Sequence, residues 1–398
     1  MTKTTAVILL TLSVASPFAS SLAGNSASSV QLHGFISQSY TRTSNNRFFG
    51  ESENNGSFDF REMGINISAR PSPDLQLAAQ LTSRKAGKSD DGDVQLDYGL
   101  MDYSFAANET ARYGMRLGRL KVPLGLYNET RGAPMTRAGI LLAQSIYFER
   151  SRNVALSADA GELYGEYRGT FGQLSAQAAV GRPNVVDPDI ETALFKRNQP
   201  GRLEDDIAYS GRIMYENSAS TLRAALSHLR LYIPYNAAPG DPLGNGEIRF
   251  IPWVLSMQYD SEFWTLTSEY AIRRFEYSQF AAFNDFDING ESYYIQAQYH
   301  IAPRWRALLR YDVLYNDAKD RDGHAFAANP ANRGVPAYSQ FAKDWAIGLR
   351  WDAHRHLMLR AEYHDINGTG WLPNNDNLIP AATQKHWNLF LLSATLYF

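Results

Sequence analysis

Eight arginines are the candidate functional residues of this sequence, because a guanidinium is permanently charged and binds anions. Three lie in a long polar connection at residues 121–152, and five alternate with other residues in strand-like segments. They are Arg131, Arg137 and Arg150 in the connection, and Arg116, Arg306, Arg310, Arg350 and Arg360 in the segments. Rings of such side chains attract anions, so the chemistry they predict is electrostatic selection rather than covalent catalysis.

Acidic residues at alternating positions of similar segments offer a second interpretation of these arginines. The acids are Glu62, Glu269, Asp312 and Glu362, and they are expected to face the same way as the arginines. Ion pairs between the two sets would make a wall rigid and cancel much of its charge. The sequence leaves both interpretations open and predicts a weak anion preference, screened over a Debye length of about 8 Å.

Motifs for catalysis or metal binding are weak. The segment from Asp317 to Gly323 carries alternating acids but lacks the bidentate Glu of a calcium loop. His354 and His356 have no third ligand at a useful spacing. The chain has no phosphate-binding Gly-Lys-Ser/Thr loop and no Gly-x-Ser-x-Gly nucleophile motif. We therefore expect no catalytic residue, no cofactor and no metal site.

Aromatic residues are abundant although the chain as a whole is polar. The 398 residues include 23 Tyr and 20 Phe, with a mean hydropathy of −0.36 and a net charge of −3. Cys is absent, which excludes disulfides and thiolate chemistry, and the slight acidity argues against a nucleic-acid partner.

The N-terminal residues predict a signal peptide at residues 1–23. Lys3 precedes a short apolar run at residues 6–14, and the small residues Ser21 and Ala23 follow at cleavage-site spacing. A helical membrane anchor is the alternative. About nine apolar residues are too few for it, because a membrane-spanning helix needs roughly 20.

From residue 30 onward, segments of about ten residues alternate apolar and polar side chains, as β-strands do. Seven short connections rich in turn-forming residues lie at 71–74, 106–110, 169–172, 217–220, 260–262, 301–304 and 352–355. Eight long polar connections lie at 43–57, 85–94, 121–152, 182–206, 231–247, 276–289, 316–342 and 366–384. This order predicts sixteen antiparallel strands, with turns at one rim and loops at the other.

The strands are predicted to close into a transmembrane antiparallel β-barrel that covers residues 24–398. No helix-length apolar segment follows residue 23. In lipid, backbone N–H and C=O groups must pair internally, which leaves helices or closed barrels. Aromatic pairs six residues apart, such as Trp253 and Tyr259, keep both rings on one outer face. A soluble β-sandwich is the alternative, and so many successive alternating strands disfavour it.

The C-terminal strand carries a family resemblance. It runs from His386 to Phe398 and sets Phe390, Leu392, Ala394, Leu396 and Phe398 on one face. It resembles the C-terminal signal that the outer-membrane assembly machinery recognises in Gram-negative porins. The likeness covers the whole chain after residue 23 and is nearest to the sixteen-stranded phosphate-selective porin O/P type. The supporting segments are residues 31–36, residues 58–66 and the Arg116 to Gly125 segment that leads into the third long connection. A dense Lys cluster, which phosphate selectivity would need, is absent from the sequence.

This resemblance implies an outer-membrane location, short periplasmic turns, long extracellular loops, surrounding lipid and a homotrimer. It also implies that residues 121–152 fold into the lumen and narrow a channel. An external loop at the rim or at a subunit contact is the alternative. The implied function is passive diffusion of small hydrophilic solutes or ions, without enzymatic activity. An adhesin or scaffold barrel is a second hypothesis, and an outer-membrane hydrolase is a third.

Overall fold

The computed structural model describes residues 30–149, 152–185, 188–195 and 199–398, and the expected signal peptide lies outside these ranges. Strands make up most of the described chain. They are β1 (Gln31–Thr43), β2 (Ser57–Ser72), β3 (Leu75–Ala86), β4 (Asp91–Ala107), β5 (Ala111–Lys121), β6 (Ser157–Gly169), β7 (Gly172–Pro183), β8 (Arg202–Leu203), β9 (Ala208–Asn217), β10 (Leu222–Asn236), β11 (Gly246–Asp260), β12 (Trp264–Ser278), β13 (Phe286–Ala302), β14 (Trp305–Tyr315), β15 (Phe341–His354), β16 (Leu357–Gly368) and β17 (His386–Tyr397).

The strands form one closed antiparallel sheet. Long strands that follow one another in the chain pair with each other, and β17 pairs with β1. The two-residue β8 pairs with β10 at Tyr235 and Asn236, and β9 pairs with the same strand further along. Because β8 and β9 both lie beside β10 and together fill one strand position, the barrel has sixteen strand positions, called places below. The predicted fold class and strand number are confirmed.

The last residue fastens the seam between β17 and β1. The Phe398 N–H donates to the Gly34 carbonyl oxygen at 3.0 Å, and the Gly34 N–H donates to the Phe398 carbonyl oxygen at 3.2 Å. The Phe398 ring also covers Gly34, where a Cβ would come within 2.7 Å of a ring carbon. The close approach therefore depends on glycine at this position.

Alternation separates an apolar outer face from an inner face. On β11, Leu255 and Met257 are about half exposed, whereas Val254 and Ser256 are buried. A shift of one residue would exchange the two faces, so the large outward side chains fix the register. This is the arrangement that the sequence pattern predicts.

Toward the long loops the pattern reverses. Along β12, Ile272 points outward, but the next outward positions are Arg274 and Glu276, which form an ion pair at 3.0 Å. The inward positions between them are Phe275 and Tyr277, which line an internal cavity. Charged outward side chains need water, so this part of the barrel extends beyond the apolar band.

The short turns lie where the sequence predicts them, but three long connections are shorter than expected. They span residues 87–90, 237–245 and 279–285, because the flanking strands continue further. Cross-strand ion pairs stabilise the extensions, such as Lys85 with Asp91 at 3.2 Å and Arg249 with Glu276 at 3.4 Å. In the β10 and β12 extensions the alternation is reversed, with apolar side chains inward and polar or charged ones outward, which is why the sequence predicts loops there.

The long loops contain α1 (Pro188–Phe195), α2 (His324–Ala328) and five 3₁₀ turns. No helix of the described chain is both long and apolar enough to cross a bilayer. Apolar side chains hold several long loops together inside the rim. The Trp371 ring lies 5.5 Å from that of Phe48 and 5.3 Å from that of Trp387, and Ile140 and Leu141 belong to the same cluster.

Candidate functional site

The connection between β5 and β6, residues 122–156, is called the third loop below, and it lies against the inner face of the barrel. Its backbone is bound by side chains from several strands. Glu362 on β16 accepts hydrogen bonds from the N–H groups of Ile140 at 2.7 Å and Leu141 at 3.0 Å. Further N–H groups donate to the wall from Gly125 to Ser227 (2.8 Å), from Leu126 to Glu269 (2.9 Å) and from Ser145 to Asp312 (3.2 Å). These wall side chains, three acids and a serine, satisfy backbone groups that would otherwise be buried without partners.

Arg137 is the most fully bound side chain of the third loop. Its guanidinium forms a two-pronged contact with Glu62 on β2, at 2.8 and 2.6 Å. It also donates to the carbonyl oxygen of Arg131, at 2.9 and 2.6 Å, and to that of Ile140 at 3.3 Å. Five hydrogen bonds match the five N–H donors of a guanidinium. Arg137 therefore holds two parts of the third loop together, near Arg131 and Ile140, and also attaches the loop to Glu62 on the wall.

A buried group of charges continues from this pair. Glu149 accepts from Arg131 at 3.2 Å and also pairs with Arg84 on β3, while Arg152 lies 3.8 Å from the same carboxylate. Arg152 is also 3.6 Å from Glu62. Burial opposes ionisation of Glu149, but the surrounding arginines hold its pKa far below the usual range. Both carboxylates are thus shared among several arginines, and the loop is tied to β2 and β3.

Three predicted wall arginines also hold the third loop. Arg310 on β14 donates to the Leu141 carbonyl oxygen at 3.1 Å, and Arg350 on β15 donates to that of Met135 at 3.1 Å. Arg360 on β16 donates to the carbonyl oxygens of Pro134, at 2.9 Å, and Gly139. Arg310 also lies 3.6 Å from Glu362. These side chains position the loop rather than point into open water.

The other predicted arginines lie elsewhere. Arg116 on β5 donates to Asp102 at 3.1 Å and to Glu162 at 2.7 Å, away from the third loop. Arg306 is partly exposed, and its guanidinium is 3.8 Å from Asp352. Arg150 lies outside the described residues. Of the eight arginines singled out from the sequence, five form hydrogen bonds with the third loop or lie within its described part. Arg116 lies apart from the loop, and Arg306 lines a small space beside residues 138–140.

Two spaces adjoin the third loop. One, of about 580 Å³, is lined by both kinds of charge: Glu62, Asp90, Asp91, Asp93 and Asp97 with Arg84, Arg119 and Arg152. The other, of about 460 Å³, extends toward the long loops between β10, β11, β12 and β13 and is called the upper chamber below. Among its described residues the lining is mostly apolar, and the charged side chains are arginines. A solute near the third loop would meet a charged surface in one space and an apolar one in the other.

No family model matches the chain, and no curated protein matches it. Solved structures do resemble it. The outer membrane channel DcaP of Acinetobacter baumannii gives a TM-score of 0.58 at 11% identity, over 94% of this chain and 99% of that one. The anion-selective porin from Comamonas acidovorans gives 0.56 at 12% identity, over 93% and 100%. The trimer form of OmpT, an outer membrane protein of Vibrio cholerae, gives 0.54 at 10% identity, over 94% and 100%. This chain has the porin fold.

Within this porin fold, sequence reasoning missed three members of the charged group: Arg84, Glu149 and Arg152. Arg84 had a detectable signal, because it stands at the inward parity of β3 and pairs in register with Glu62. The other two lie in the irregular third loop, where no periodicity assigns a direction to a side chain. Their roles depend on where the loop rests on the wall.

Proposed function

We propose that the protein is a passive diffusion channel of the Gram-negative outer membrane, for small solutes and ions. The observation that carries the proposal is the third loop, which is bound to the inner wall of a sixteen-place barrel and has two open spaces beside it. A barrel of this size is wide enough to hold an aqueous path, whereas eight strands would be filled by side chains. Two structural neighbours are described as an outer membrane channel and as an anion-selective porin.

In this proposal the third loop is the constriction, and its arginines act mainly by holding it in place. Arg131, Arg137, Arg310 and Arg360 are buried and hydrogen-bonded. A narrow passage stays narrow only if its loop cannot move, so the ion pairs serve the shape of the passage. Phosphate selectivity would need unpaired cations along the path. The proposal is therefore a weak preference for anions in general. The charged side chains in the described lining of the upper chamber are arginines, and the preference is weak because Arg131 and Arg152 also pair with Glu149.

The same proposal places lipid around the barrel and further copies of the chain beside it. The outer face presents large apolar side chains such as Leu255, Ile295 and Ile347, each more than half exposed. Porin resemblance suggests that three chains associate and that the assembly machinery recognises β17. The signal peptide expected at residues 1–23 would direct export to this membrane.

Conductance measurements test the channel role. Protein without residues 1–23, refolded into planar bilayers, should give stepwise conductance, and liposomes that contain it should swell in small sugars. An adhesin or scaffold barrel would give neither result, and both negative results together would remove the proposal. In a KCl gradient, the reversal potential should indicate anions crossing about twice as readily as cations, since screening limits selectivity in a water-filled path. Clear cation selectivity would rule out the anion preference while leaving the channel.

A further inference from the structure

The upper chamber is unusual because its inner wall is apolar. Barrel interiors that conduct water are ordinarily polar. Here Ile248, Phe250 and Val254 on β11 and Phe275 and Tyr277 on β12 all line the cavity. These side chains alternate with outward residues, which are charged toward the long loops and apolar further down, so they point inward by the register of their strands. The apolar surface thus lies inside the barrel, on the long-loop side of the third loop.

Aromatic rings form much of this wall. Phe250 and Phe275 stack across β11 and β12 with ring centroids 4.6 Å apart, and Tyr277 stacks on Phe286 of β13 at 4.8 Å. The Phe286 side chain is 42% exposed, so the rings are not simply a sealed core. Stacked rings with open faces can take another aromatic or aliphatic group at low entropic cost.

The charged side chains that line the chamber are arginines, and two of them also pair with Glu149, which is not among the described lining residues. The charged side chains among its described lining residues are Arg131, Arg152 and Arg273, and that described lining contains no Asp or Glu. Two of these arginines belong to the third loop. The third, Arg273, lies 5.1 Å from the centre of the Phe148 ring of that loop. The cationic groups are therefore gathered on the side of the third loop, and the rings lie above them.

This combination suits one class of small molecule. Ligand pockets measure roughly 300–1,000 Å³ and combine an apolar lining with a few oriented polar groups. The upper chamber, at about 460 Å³, has that size and that composition. An inorganic anion could contact the arginines but would gain nothing from the rings. A neutral hydrocarbon could contact the rings but would gain nothing from the arginines.

We propose that the upper chamber is a binding site for amphipathic organic anions that carry a carboxylate and an aromatic body. The body lies on the stacked rings of β11–β13, and the carboxylate faces the arginines at the third loop. The site narrows the substrate class of the proposed channel and rests on that function, since a solute bound there stands directly before the constriction. Weak, reversible binding at this point raises the local concentration of the solute that passes.

The first experiment compares matched probes on single channels of the refolded protein. We expect 4-phenylbutyrate, added on the long-loop side, to interrupt the KCl current in a saturable way. Butyrate lacks the ring and 4-phenylbutanol lacks the charge, so each should require at least a tenfold higher concentration. Equal potency of the three probes, or no block by 4-phenylbutyrate, would overturn the proposal.

Variants locate the site. Replacing Phe275 by Ala should raise the half-blocking concentration of 4-phenylbutyrate about fivefold, as the loss of one aromatic contact implies. Phe250→Ala should act in the same direction, which guards against misfolding of either variant. Ile272→Ala is the matched control, because Ile272 is on the same strand but faces outward and is 46% exposed. If the control weakened the block as much as the two ring variants, the binding site would not be this chamber.

Calorimetry separates this proposal from the channel role. Protein in detergent that binds 4-phenylbutyrate but never conducts would retain the chamber and refute the channel. Protein that conducts KCl but shows no binding, by current or by heat, would retain the channel and refute the chamber.

Discussion

Replacement of Arg137 by Ala should release the third loop from the wall without opening the barrel. The change removes five hydrogen bonds, two of them to Glu62, while the strands keep their own backbone pairing. We expect the loop to sample detached positions, so that the current through single channels becomes noisier and its mean value rises. Arg137→Lys should show an intermediate effect, because an ammonium has three donors and no planar fork.

The size of the effect follows from the surroundings of Glu62. Both side chains of the pair are buried, at 3% and 6% exposure, and loss of one partner from a buried pair costs about 3–5 kcal/mol. Arg152 at 3.6 Å and Arg84 at 3.8 Å remain near Glu62 and compensate part of its charge. We therefore expect the lower end, about 3 kcal/mol, which corresponds to a roughly 150-fold rise in the detached population.

Hydrogen–deuterium exchange in detergent micelles measures the detached population of the third loop directly. Amides of residues 138–147 should exchange faster in Arg137→Ala, whereas those in β10–β13 should be unchanged. Arg306→Ala is the control, since Arg306 is 38% exposed and its contact with Asp352 is 3.8 Å. Equal deuterium uptake in wild type and Arg137→Ala at residues 138–147 would refute the idea that this pair holds the loop.

Three further outcomes follow from other contacts. Because the arginines hold the pKa of Glu149 below its ordinary 4.5, its contribution to loop stability is complete above that pH and is lost only as the pH falls through the lowered value. Current noise should therefore be equal at pH 7 and pH 5 and rise only in strongly acidic solution, and a transition near pH 6 would contradict this. Gly34→Val should displace the Phe398 ring from the seam and lower the temperature at which the barrel unfolds in SDS, read from gel mobility. Trp371→Ala removes a side chain that is only 1% exposed and should cost about 3–5 kcal/mol of local stability, with faster proteolysis at residues 369–385. An unchanged rate of cleavage at residues 369–385 would show that the long loops stay packed together without the Trp371 ring.

The barrel was predictable because lipid acts on every strand in the same way. Leu255, Ile295 and Ile347 each stand between inward neighbours of different character, and that alternation alone fixes strand direction and register. The seam was also foreseeable, since Phe398 continues the outward series of β17.

The upper chamber escaped prediction for a physical reason. Beyond Ile272 the barrel stands in water, so Arg274 and Glu276 take the outward positions and Phe275 takes an inward one. The sequence still alternates there, but the apolar positions now face inward and the charged positions face outward. A rule that always places apolar residues on the outer face therefore fails in this part of the barrel. Where the lipid ends cannot be read from the alternation itself.

The arginines were predictable as inward-facing, and pairing with the wall acids is one of the two interpretations that the sequence leaves open. Their hydrogen bonds to the backbone of the third loop were not predictable. Strand parity points Arg310 and Arg360 inward, and they lie there. Their partners are backbone carbonyls of the third loop, such as those of Leu141 and Pro134. No local pattern places these carbonyls, because the path of an irregular loop is decided by the wall it meets.

The seam at Gly34 and Phe398 has a consequence for how the barrel assembles. Until β17 is present, β1 and β16 each offer an unsatisfied edge along their whole length. The unpaired N–H and C=O groups of such an edge are costly in lipid. In water they can pair with strands of other chains and cause aggregation. A nascent chain carries the β1 edge from its first strand to its last, so it cannot insert strand by strand as it leaves the ribosome. We therefore expect the β1 edge to stay unpaired until the final residues of the chain are present and the ring can close.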